Sequence, residues 1–265
     1  MATTDAAVAT GTAAFDLTGR TALVTGSSQG IGRTLAQGLA EAGATVIVHG
    51  RDAAKAAATA DGIATGVGRD VRSAVFDVTD PSAVDAGIQA LEDEHGALDI
   101  LVNNAGIQRR APITEFRDED WTDLVSTNLS SVFYVSRRVA RGMVARGSGK
   151  LIQIGSVQSQ LARPGIAPYS ATKGAIAMLT KGLCADLAPH GIQANAIAPG
   201  YFDTELTQAL VADERFSEWV RGRTPAGRWG RTRDLVGALV FLASPASDFV
   251  NGQTLYVDGG MTAVV

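Results

Sequence analysis

The chain has 265 residues, of which 46% are hydrophobic and 19% charged, and its formal net charge is −4. These values are typical of a globular protein, the length permits one large α/β domain, and the charge provides no basic surface for nucleic acid. A single cysteine excludes an internal disulfide, and no apolar run reaches the roughly eighteen residues that a membrane-spanning helix requires.

The first residues, MATTDAAVATGTAAFD, contain no lysine or arginine before Arg20 and resemble neither a secretory signal nor a transit peptide. We expect residues 1–14 to form a flexible tail, residues 15–265 to form a single domain, and the protein to be cytoplasmic. His49, His95 and His190 are far apart in the sequence and have no cysteine at ligand spacing, so no metal site is predicted.

From Arg20 onward, short apolar segments alternate with segments of helical periodicity. The apolar segments predict strands at Thr21 to Val24, Thr45 to Val48, Arg72 to Phe76, Leu98 to Val102, Lys150 to Ile154, Gln193 to Ile197 and Thr254 to Val257. The periodic segments predict helices at Ile31 to Ala42, Pro81 to Glu94, Glu119 to Ala145, Pro168 to Ala188 and Arg233 to Ala243. Such alternation predicts an α/β fold, a Rossmann-type doubly wound parallel sheet of about seven strands with helices on both faces.

The turn after the first strand is rich in glycine. Its sequence, TGSSQGIG at positions 25–32, spaces Gly26, Gly30 and Gly32 as G-x-x-x-G-x-G between a strand and a helix. Glycines at such a place let the backbone approach a pyrophosphate and present the helix's free N–H groups to it. We interpret this segment as nucleotide-binding, although a glycine-rich turn by itself is also compatible with an ordinary connection.

The end of the second strand bears on the choice of cofactor. In dinucleotide-binding folds, an acidic residue there binds the 2′-hydroxyl of NAD, whereas an arginine accommodates the 2′-phosphate of NADP. Gly50 occupies the expected position of the acid and Arg51 follows it, which favours NADP(H). NAD(H) stays open, because the neighbouring Asp52 either faces the ribose or caps the next helix.

Ser156 follows the fifth predicted strand, and Tyr169 and Lys173 are four residues apart on the next helix. This spacing puts the tyrosine and lysine on one helical face. A nearby cation that favours the phenolate lowers the tyrosine's pKa and suits it to general acid–base chemistry. A solvated lysine beside an exposed tyrosine is the alternative for the pair taken alone.

These motifs occur in order together with Asp77-Val78, Asn103-Asn104-Ala105-Gly106, Asn128 and Pro199-Gly200. In this combination, from Phe15 to the C-terminus, the chain resembles the short-chain dehydrogenase/reductase family. The resemblance implies that Tyr169 transfers the proton, that Lys173 lowers its pKa, and that Ser156 polarises the carbonyl. It implies that Asn128 holds a water of the proton relay. The cofactor contacts implied are Gly26, Ser28, Gly30, Ile31, Gly32, Arg51, Asp77, Val78, Asn104, Ala105, Gly106, Tyr169, Lys173, Pro199, Gly200 and Thr204.

Further stretches, including the segments at 107–112 and 223–230, resemble the members of this family that act on D-gluconate and its keto acid. Such a substrate is a polyhydroxylated carboxylate, which calls for a guanidinium and for amide or hydroxyl partners. Besides Ser156 and Tyr169, we expect Arg109 first, then Arg163, for the carboxylate, and Gln158 and Tyr201 for the hydroxyls. The alternatives are a surface ion pair of Arg109 or Arg110 with Glu115 or Asp118, and a purely packing role for Tyr201.

The polar, helical segment from Asp203 to Arg221 is either a lid over the nicotinamide and substrate or an ordinary surface helical pair. Three functions fit the motifs: a sugar-acid dehydrogenase, a reductase of other ketones or of 3-oxoacyl thioesters, and a dinucleotide-binding protein without turnover. The last is disfavoured because Asn128, Ser156, Tyr169 and Lys173 are all present. The resemblance also implies a homotetramer, and neither a nucleic acid nor a membrane is an expected partner.

Overall fold

The computed structural model describes residues 10–265. In chain order the strands are β1 (Thr21–Val24), β2 (Thr45–Gly50), β3 (Val71–Val75), β4 (Ile100–Asn103), β5 (Gly149–Ile154), β6 (Ile192–Pro199), β7 (Phe202–Asp203), β8 (Gly230–Arg231) and β9 (Thr254–Val257). The α-helices are α1 (Gly30–Glu41), α2 (Ala53–Val67), α3 (Pro81–His95), α4 (Asp118–Val125), α5 (Ser131–Arg146), α6 (Ala167–Leu187), α7 (Gln208–Ala212), α8 (Glu214–Arg223) and α9 (Val236–Ala243).

Seven strands form one parallel sheet in the order β3-β2-β1-β4-β5-β6-β9. The chain winds outward from β1 in one direction and then, starting at β4, in the other. The carboxyl ends of β1 and β4 therefore mark the switch point at which open α/β sheets bind ligands. The predicted doubly wound fold is confirmed.

Alternating residues of the central strands enter two cores. In β1, Ala22 and Val24 belong to the core that α1, α2 and α9 cover, whereas Leu23 belongs to the core under α3 and α5. This period of two arises because successive side chains of a strand point to opposite faces. Both faces are apolar since helices cover both, which explains why these strands appear in the sequence as continuous apolar runs.

One helix is absent from the sequence prediction. Helix α2 (AAKAAATADGIATGV) buries Ala56, Thr59, Ala60 and Ile63. These residues have the spacing of one helical face, but most of their side chains are small. Such a stripe gives little contrast between apolar and polar faces, so periodicity alone does not reveal it.

The single helix predicted over Glu119 to Ala145 is wrong in one respect. The chain forms α4, then a π-helical turn at Ser126–Ser130, then α5. A π-turn places one extra residue in the helix and is common at functional sites. Asn128, a predicted catalytic residue, lies inside this turn.

Other differences lie at the edges of the domain. Most of the predicted tail, residues 1–9, lies outside the described residues, and Gly11–Phe15 form a 3-10 helix in which Ala14 is buried. The segment from Asp203 onward contains α7 and α8, and a small parallel pair, β7 with β8, forms beside it. No helix within residues 10–265 has both the length and the apolar character needed to cross a membrane.

Candidate active site

The glycine turn between β1 and α1 forms a cradle open to a ligand. Gly26 and Gly30 have φ values of +61° and +57°, which favour glycine. A Cβ at Gly26 would lie 2.8 Å from the Cα of Ala105, and one at Gly32 would lie 2.5 Å from the carbonyl oxygen of Gly26. Larger residues would therefore collide with the backbone at both positions.

The first turn of α1 supplies donors to this cradle. Helix α1 begins at Gly30, and the residue before it, Gln29, makes no side-chain capping bond to the helix. The N–H groups of Gly30, Ile31 and Gly32 thus keep the unpaired donors that bind a pyrophosphate at a helix N-terminus. This geometry fits a dinucleotide.

The turn after β4 is locked onto the glycine turn. The Thr25 hydroxyl accepts hydrogen bonds from the N–H groups of Asn104 (3.0 Å) and Ala105 (3.1 Å). In return the Asn104 amide donates to the carbonyl oxygens of Thr25 and Gly26, both at 2.9 Å. The glycine turn and the turn after β4 are about 80 residues apart in the sequence, and they meet because β1 and β4 are neighbouring strands of the sheet.

At the adenosine end, the acidic residues are already engaged. The Asp52 carboxylate caps α2 by accepting from the N–H of Lys55 at 3.0 Å. The Asp77 carboxylate accepts from the N–H and hydroxyl of Thr79, and these two bonds hold its pKa below the usual range. Of the two alternatives for Asp52, helix capping is therefore the one observed.

Gly50 packs closely against the glycine turn. A Cβ there would approach the Ser28 hydroxyl oxygen to 3.2 Å, and the adjoining Arg51 is exposed. The charge of Arg51 further lowers the pKa of Asp77, so its guanidinium lies on the side of the site where adenine contacts are implied. Val78, the other implied adenine contact, is buried.

His49 is a residue that sequence reasoning missed. Its Nδ1 accepts a hydrogen bond from the N–H of Gly26 (3.2 Å), and its Nε2 contacts the Phe76 carbonyl oxygen (3.0 Å). An acceptor at Nδ1 and a donor at Nε2 describe the neutral imidazole. Burial lowers the pKa of His49 to about 4, and this effect outweighs the hydrogen bond to Phe76 and the charge of Asp77, which both raise the pKa. The neutral ring thereby supports the first glycine of the cradle.

Ser156 and Tyr169 meet beyond the end of β5. Ser156 follows β5, and its hydroxyl accepts from the N–H of Gln158 at 3.1 Å. Tyr169 lies in the first turn of α6. Burial raises the pKa of the Tyr169 phenol, whereas a hydrogen bond from Ser156 and the charge of Arg110 lower it. The raised pKa keeps the phenol protonated at neutral pH.

Lys173 lies one helical turn beyond Tyr169. Its ammonium donates to the Ile154 carbonyl oxygen at 2.8 Å and is 5.7 Å from the centre of the Tyr169 ring. Burial lowers the pKa of Lys173 to about 8, so most of it is still charged at pH 7. In this arrangement its charge lies over the ring face of the tyrosine.

Asn128 joins three parts of the site. Its carboxamide accepts from the N–H of Ile107 (2.8 Å), donates to the Ile107 carbonyl oxygen (2.9 Å), and lies 3.4 Å from the Thr172 hydroxyl. A Cβ at Gly106 would come within 3.3 Å of its Oδ1. The π-turn thus fixes the segment after Gly106 against α6.

Where the family resemblance implies nicotinamide contacts, the turn after β6 passes close to β9. The N–H of Gly200 donates to the Val257 carbonyl oxygen at 3.0 Å, and a Cβ on Gly200 would lie 2.9 Å from the Cα of Asp258. Pro199 ends β6. Thr204 begins a 3-10 turn in which its N–H bonds the Thr207 hydroxyl at 3.0 Å.

The arginines divide between two environments. Arg109 pairs with carboxylates of α4, Asp120 at 3.1 Å and Asp123 at 3.4 Å. Arg109 therefore forms an ion pair, which the sequence analysis gave as the alternative to substrate binding. Its partners, however, are not the predicted Glu115 and Asp118. Arg110 is exposed but lies near the site, because its charge lowers the pKa of Tyr169 and that of Tyr201. Sequence reasoning considered Arg110 only as an ion-pair residue.

Arg163 and Arg110 are close enough for their charges to interact, and both act on the Tyr201 phenol. Burial lowers the pKa of Arg110, and the charge of Arg163 lowers it further. Burial raises the pKa of the Tyr201 phenol, whereas the nearby charges of Arg163 and Arg110 lower it. The Arg163 Nε and the Gln158 Oε1 are buried without a hydrogen-bond partner, and the Gln158 amide nitrogen is 3.5 Å from the Tyr201 oxygen. Unpartnered donors and acceptors of this kind suit a polar, anionic ligand.

Aromatic rings of α8 and of the segment after it pack around Tyr201. The Tyr201 ring makes edge contacts with Phe216, Trp219 and Trp229 at centroid distances of 5.6, 5.7 and 5.8 Å. The Arg163 guanidinium lies 5.4 Å from the centre of the Phe216 ring. Tyr201 therefore packs against these rings and also has its hydroxyl oxygen 3.5 Å from the Gln158 amide nitrogen.

Comparison with known proteins agrees with this geometry. Residues 26–262 match the family model described as enoyl-(acyl carrier protein) reductase. Gluconate 5-dehydrogenase of Gluconobacter oxydans is 58% identical over 248 residues, 94% of this chain and 96% of that protein. The chain belongs to the short-chain dehydrogenase/reductase family. It is an NAD(P)-dependent oxidoreductase of that family, acting on a CH–OH group.

Other relatives of this short-chain dehydrogenase/reductase span its whole domain. The 5-keto-D-gluconate 5-reductase of Escherichia coli K12 is 51% identical over 95% of this chain and 98% of its own. A 3-oxoacyl-[acyl-carrier-protein] reductase of Vibrio harveyi is 39% identical over 94% of this chain and 100% of its own. The crystal structure of a gluconate 5-dehydrogenase from Burkholderia cenocepacia J2315, in complex with NADP and tartrate, superimposes with a TM-score of 0.93. It is 60% identical and covers 95% of this chain and 98% of its own.

Proposed function

We propose that this protein interconverts D-gluconate and 5-keto-D-gluconate with NADP(H) as the preferred cofactor. The observation that carries the proposal is the polar cluster beside Tyr201, in which the Gln158 Oε1 and the Arg163 Nε are buried without hydrogen-bond partners and the charges of Arg110 and Arg163 act on the Tyr201 phenol. Two like charges in a partly buried site repel, and an anionic substrate relieves that repulsion. The identities of the relatives and the tartrate bound in the Burkholderia enzyme support a carboxylate-bearing polyol.

The polar groups between the arginines and Ser156 would bind the substrate's hydroxyls. The free Gln158 Oε1 accepts a hydroxyl hydrogen, and the Tyr201 phenol either donates or accepts. We assign the carboxylate to Arg110 and Arg163 rather than to Arg109, whose charge is balanced by Asp120 and Asp123. A 3-oxoacyl thioester lacks a carboxylate for this pair.

The catalytic residues follow from the same geometry. Tyr169, protonated because burial raises its pKa, donates its proton to the ketone oxygen in reduction and recovers it in oxidation. Ser156 would hold that oxygen through its hydroxyl. The Lys173 ammonium, 5.7 Å from the centre of the Tyr169 ring, would favour the phenolate that forms. Asn128 positions the backbone of Ile107 against α6 and so keeps the relay residues in place. The bound nicotinamide supplies or accepts the hydride.

The cofactor contacts we propose are those implied by the family resemblance. The cradle of Gly26 to Gly32 fits the pyrophosphate, and Arg51, in the absence of an acid at position 50, fits a 2′-phosphate. NADP in the Burkholderia enzyme supports this preference.

We propose further that the protein is a cytoplasmic homotetramer. The helices α4, α5 and α6 carry exposed large apolar side chains at Trp121, Phe133 and Met178, and the C-terminal residues Val264 and Val265 are exposed as well. Apolar groups exposed in this way are covered in an oligomer. Light scattering measures the mass of the protein in solution, and a mass equal to that of one chain would contradict the tetramer.

The functional proposal is tested by a cofactor-linked absorbance assay. The purified protein is offered 5-keto-D-gluconate with NADPH and with NADH, beside unrelated ketones and a 3-oxoacyl thioester. We expect saturable reduction of the keto acid with NADPH, well above the other substrates. If the protein reduces another ketone but not the keto acid, the proposed role of Tyr169 stands and the substrate assignment is wrong.

A further inference from the structure

The short turn after β5 holds Ser156, to which we assign the ketone oxygen. Ser156 precedes a single 3-10 turn, Val157–Ser159, and its carbonyl oxygen accepts from both the N–H (2.9 Å) and the hydroxyl (2.7 Å) of Ser159. Hydrogen bonds of a 3-10 turn have poor geometry, so one isolated turn is weakly held by its own backbone. The position of Ser156 therefore depends on what holds Ser159.

The residue that holds Ser159 comes from the last strand, 97 positions further along the chain. The hydroxyl oxygens of Ser159 and Tyr256 are 3.1 Å apart. A serine hydroxyl has one hydrogen, and Ser159 donates it to the Ser156 carbonyl oxygen at the shorter distance of 2.7 Å. The Tyr256 phenol is therefore the donor to Ser159. The three residues form a directed chain of hydrogen bonds, in which each bond polarises and strengthens the next.

The sheet brings the phenol within reach of this turn. Only β6 separates β9 from β5, and Tyr256 lies opposite Ala198 of β6. A Cβ on Gly155, the residue after β5, would lie 3.7 Å from the Cβ of Ala198. Facing residues of neighbouring strands share one side of the sheet. Because alanine and glycine occupy this side, the phenol ring has room to cross β6.

We propose that Tyr256 is a positioning residue for carbonyl reduction: through Ser159 it fixes the backbone of Ser156 and so directs the Ser156 hydroxyl at the ketone oxygen. The inference rests on the proposed role of Ser156 and adds to it a residue of the edge strand. Tyr256 acts through Ser159 and not on the reacting atoms. A misdirected hydroxyl loses more in the transition state than in the bound ground state, so kcat falls while KM changes little.

The inference is tested by steady-state reduction with NADPH of 5-keto-D-gluconate or, if the keto acid is not reduced, of the panel ketone that is. The variants are Tyr256→Phe, Ser159→Ala, Ser159→Thr, the double variant Tyr256→Phe/Ser159→Ala, and Ser156→Ala. Tyr134→Phe is the matched control, because Tyr134 lies on α5 with its ring 5.8 Å from that of Phe133. Fluorescence titration with NADPH shows that each variant is folded.

We expect Tyr256→Phe to lower kcat about tenfold, the value of one hydrogen bond, and to leave KM and NADPH affinity within about twofold. Ser159→Ala should lower kcat at least as much, whereas Ser159→Thr keeps the hydroxyl and should retain most of it. The double variant should be no slower than Ser159→Ala alone, because Tyr256 acts through Ser159. Tyr134→Phe should leave kcat unchanged.

Three results would overturn the role of Tyr256. They are an unchanged kcat in Tyr256→Phe, losses that add in the double variant, and a raised KM with kcat unchanged, which would place the phenol on the substrate. Full turnover by Ser156→Ala would instead show that the proposed role of Ser156 is wrong.

Discussion

Tyr169 shows how burial and neighbours set the state of one side chain. Burial raises the pKa of its phenol, so the proton needed for reduction is present, and Ser156 and Arg110 stabilise the phenolate left behind. We predict that Tyr169→Phe folds and binds NADPH normally while kcat falls about a thousandfold, the range that general acid catalysis contributes. Steady-state kinetics and cofactor titration measure both quantities.

Tyr134→Phe is the control for this substitution. Tyr134 lies on α5, where its ring packs against Phe133 at 5.8 Å. Its removal should leave kcat unchanged. Near-normal turnover by Tyr169→Phe would show that another group carries the proton.

His49 makes the stability of the protein depend on pH. Because its folded pKa is about 4 and its unfolded pKa about 6.5, the unfolded chain binds a proton in this interval that the folded chain does not. The stability contributed by the neutral ring is complete above pH 6.5 and is lost as the pH falls toward 4. The loss amounts to about 3 kcal/mol over that range.

His49→Asn isolates this effect, since an amide oxygen can still accept the Gly26 N–H without titrating. We predict that the free energy of unfolding of wild type relative to His49→Asn falls by about 3 kcal/mol between pH 7 and pH 4. Denaturant melts at several pH values measure it. A difference independent of pH would mean that His49 titrates in the folded state as it does in the unfolded chain.

Arg109 and Arg110 are adjacent in sequence and differ in what they contact. We predict that Arg110→Gln raises KM for 5-keto-D-gluconate about ten- to a hundredfold, the value of a charge-assisted hydrogen bond. Arg109→Gln removes an ion pair with α4 and should change KM by no more than about twofold. A larger increase in KM for Arg109→Gln than for Arg110→Gln would show that Arg109 binds the carboxylate instead.

At the scale of elements, helix α8 is linked to the substrate site through Phe216. Its ring contacts the edge of Tyr201 and lies 5.4 Å from the Arg163 guanidinium. We predict that Phe216→Leu raises KM for the keto acid about tenfold, because Arg163 loses a cation–π contact and Tyr201 a neighbour. NADPH affinity should stay within about twofold.

Phe216→Tyr is the matched variant, because it keeps the ring face for Arg163. It should retain a KM close to that of wild type. Equal effects of the leucine and tyrosine variants, or a loss of cofactor affinity in step with KM, would show that α8 is an ordinary surface helix at this site.

The elements also show how far sequence reasoning extends. Strands such as β1 and β5 are predictable because sheets covered on both faces need continuous apolar runs. Helix α2 is not, since its buried stripe consists mainly of alanine and threonine. The π-turn at Asn128 depends on the contact with Ile107, which joins residues 21 positions apart and leaves no local signal.

At the scale of the whole molecule, topology decides which residues meet. The order β3-β2-β1-β4-β5-β6-β9 brings the ends of β1, β4 and β5 to one edge, so the glycine turn, the turn after β4, and Ser156 were predictable as neighbours. Which of two adjacent arginines faces the site was not predictable. That choice depends on Asp120 and Asp123 of α4, whose position relative to Arg109 only the folded chain fixes.

We propose that this site reduces a sugar keto acid and recognises its carboxylate. The most direct test compares kcat/KM for NADPH-linked reduction of 5-keto-D-gluconate with that of its methyl ester, which keeps the ketone and hydroxyls but has no charge. We predict that the ester loses about a hundredfold or more in kcat/KM, because the Arg110–Arg163 pair is left without its anion. Equal values for acid and ester, or no reduction of either, would contradict the account.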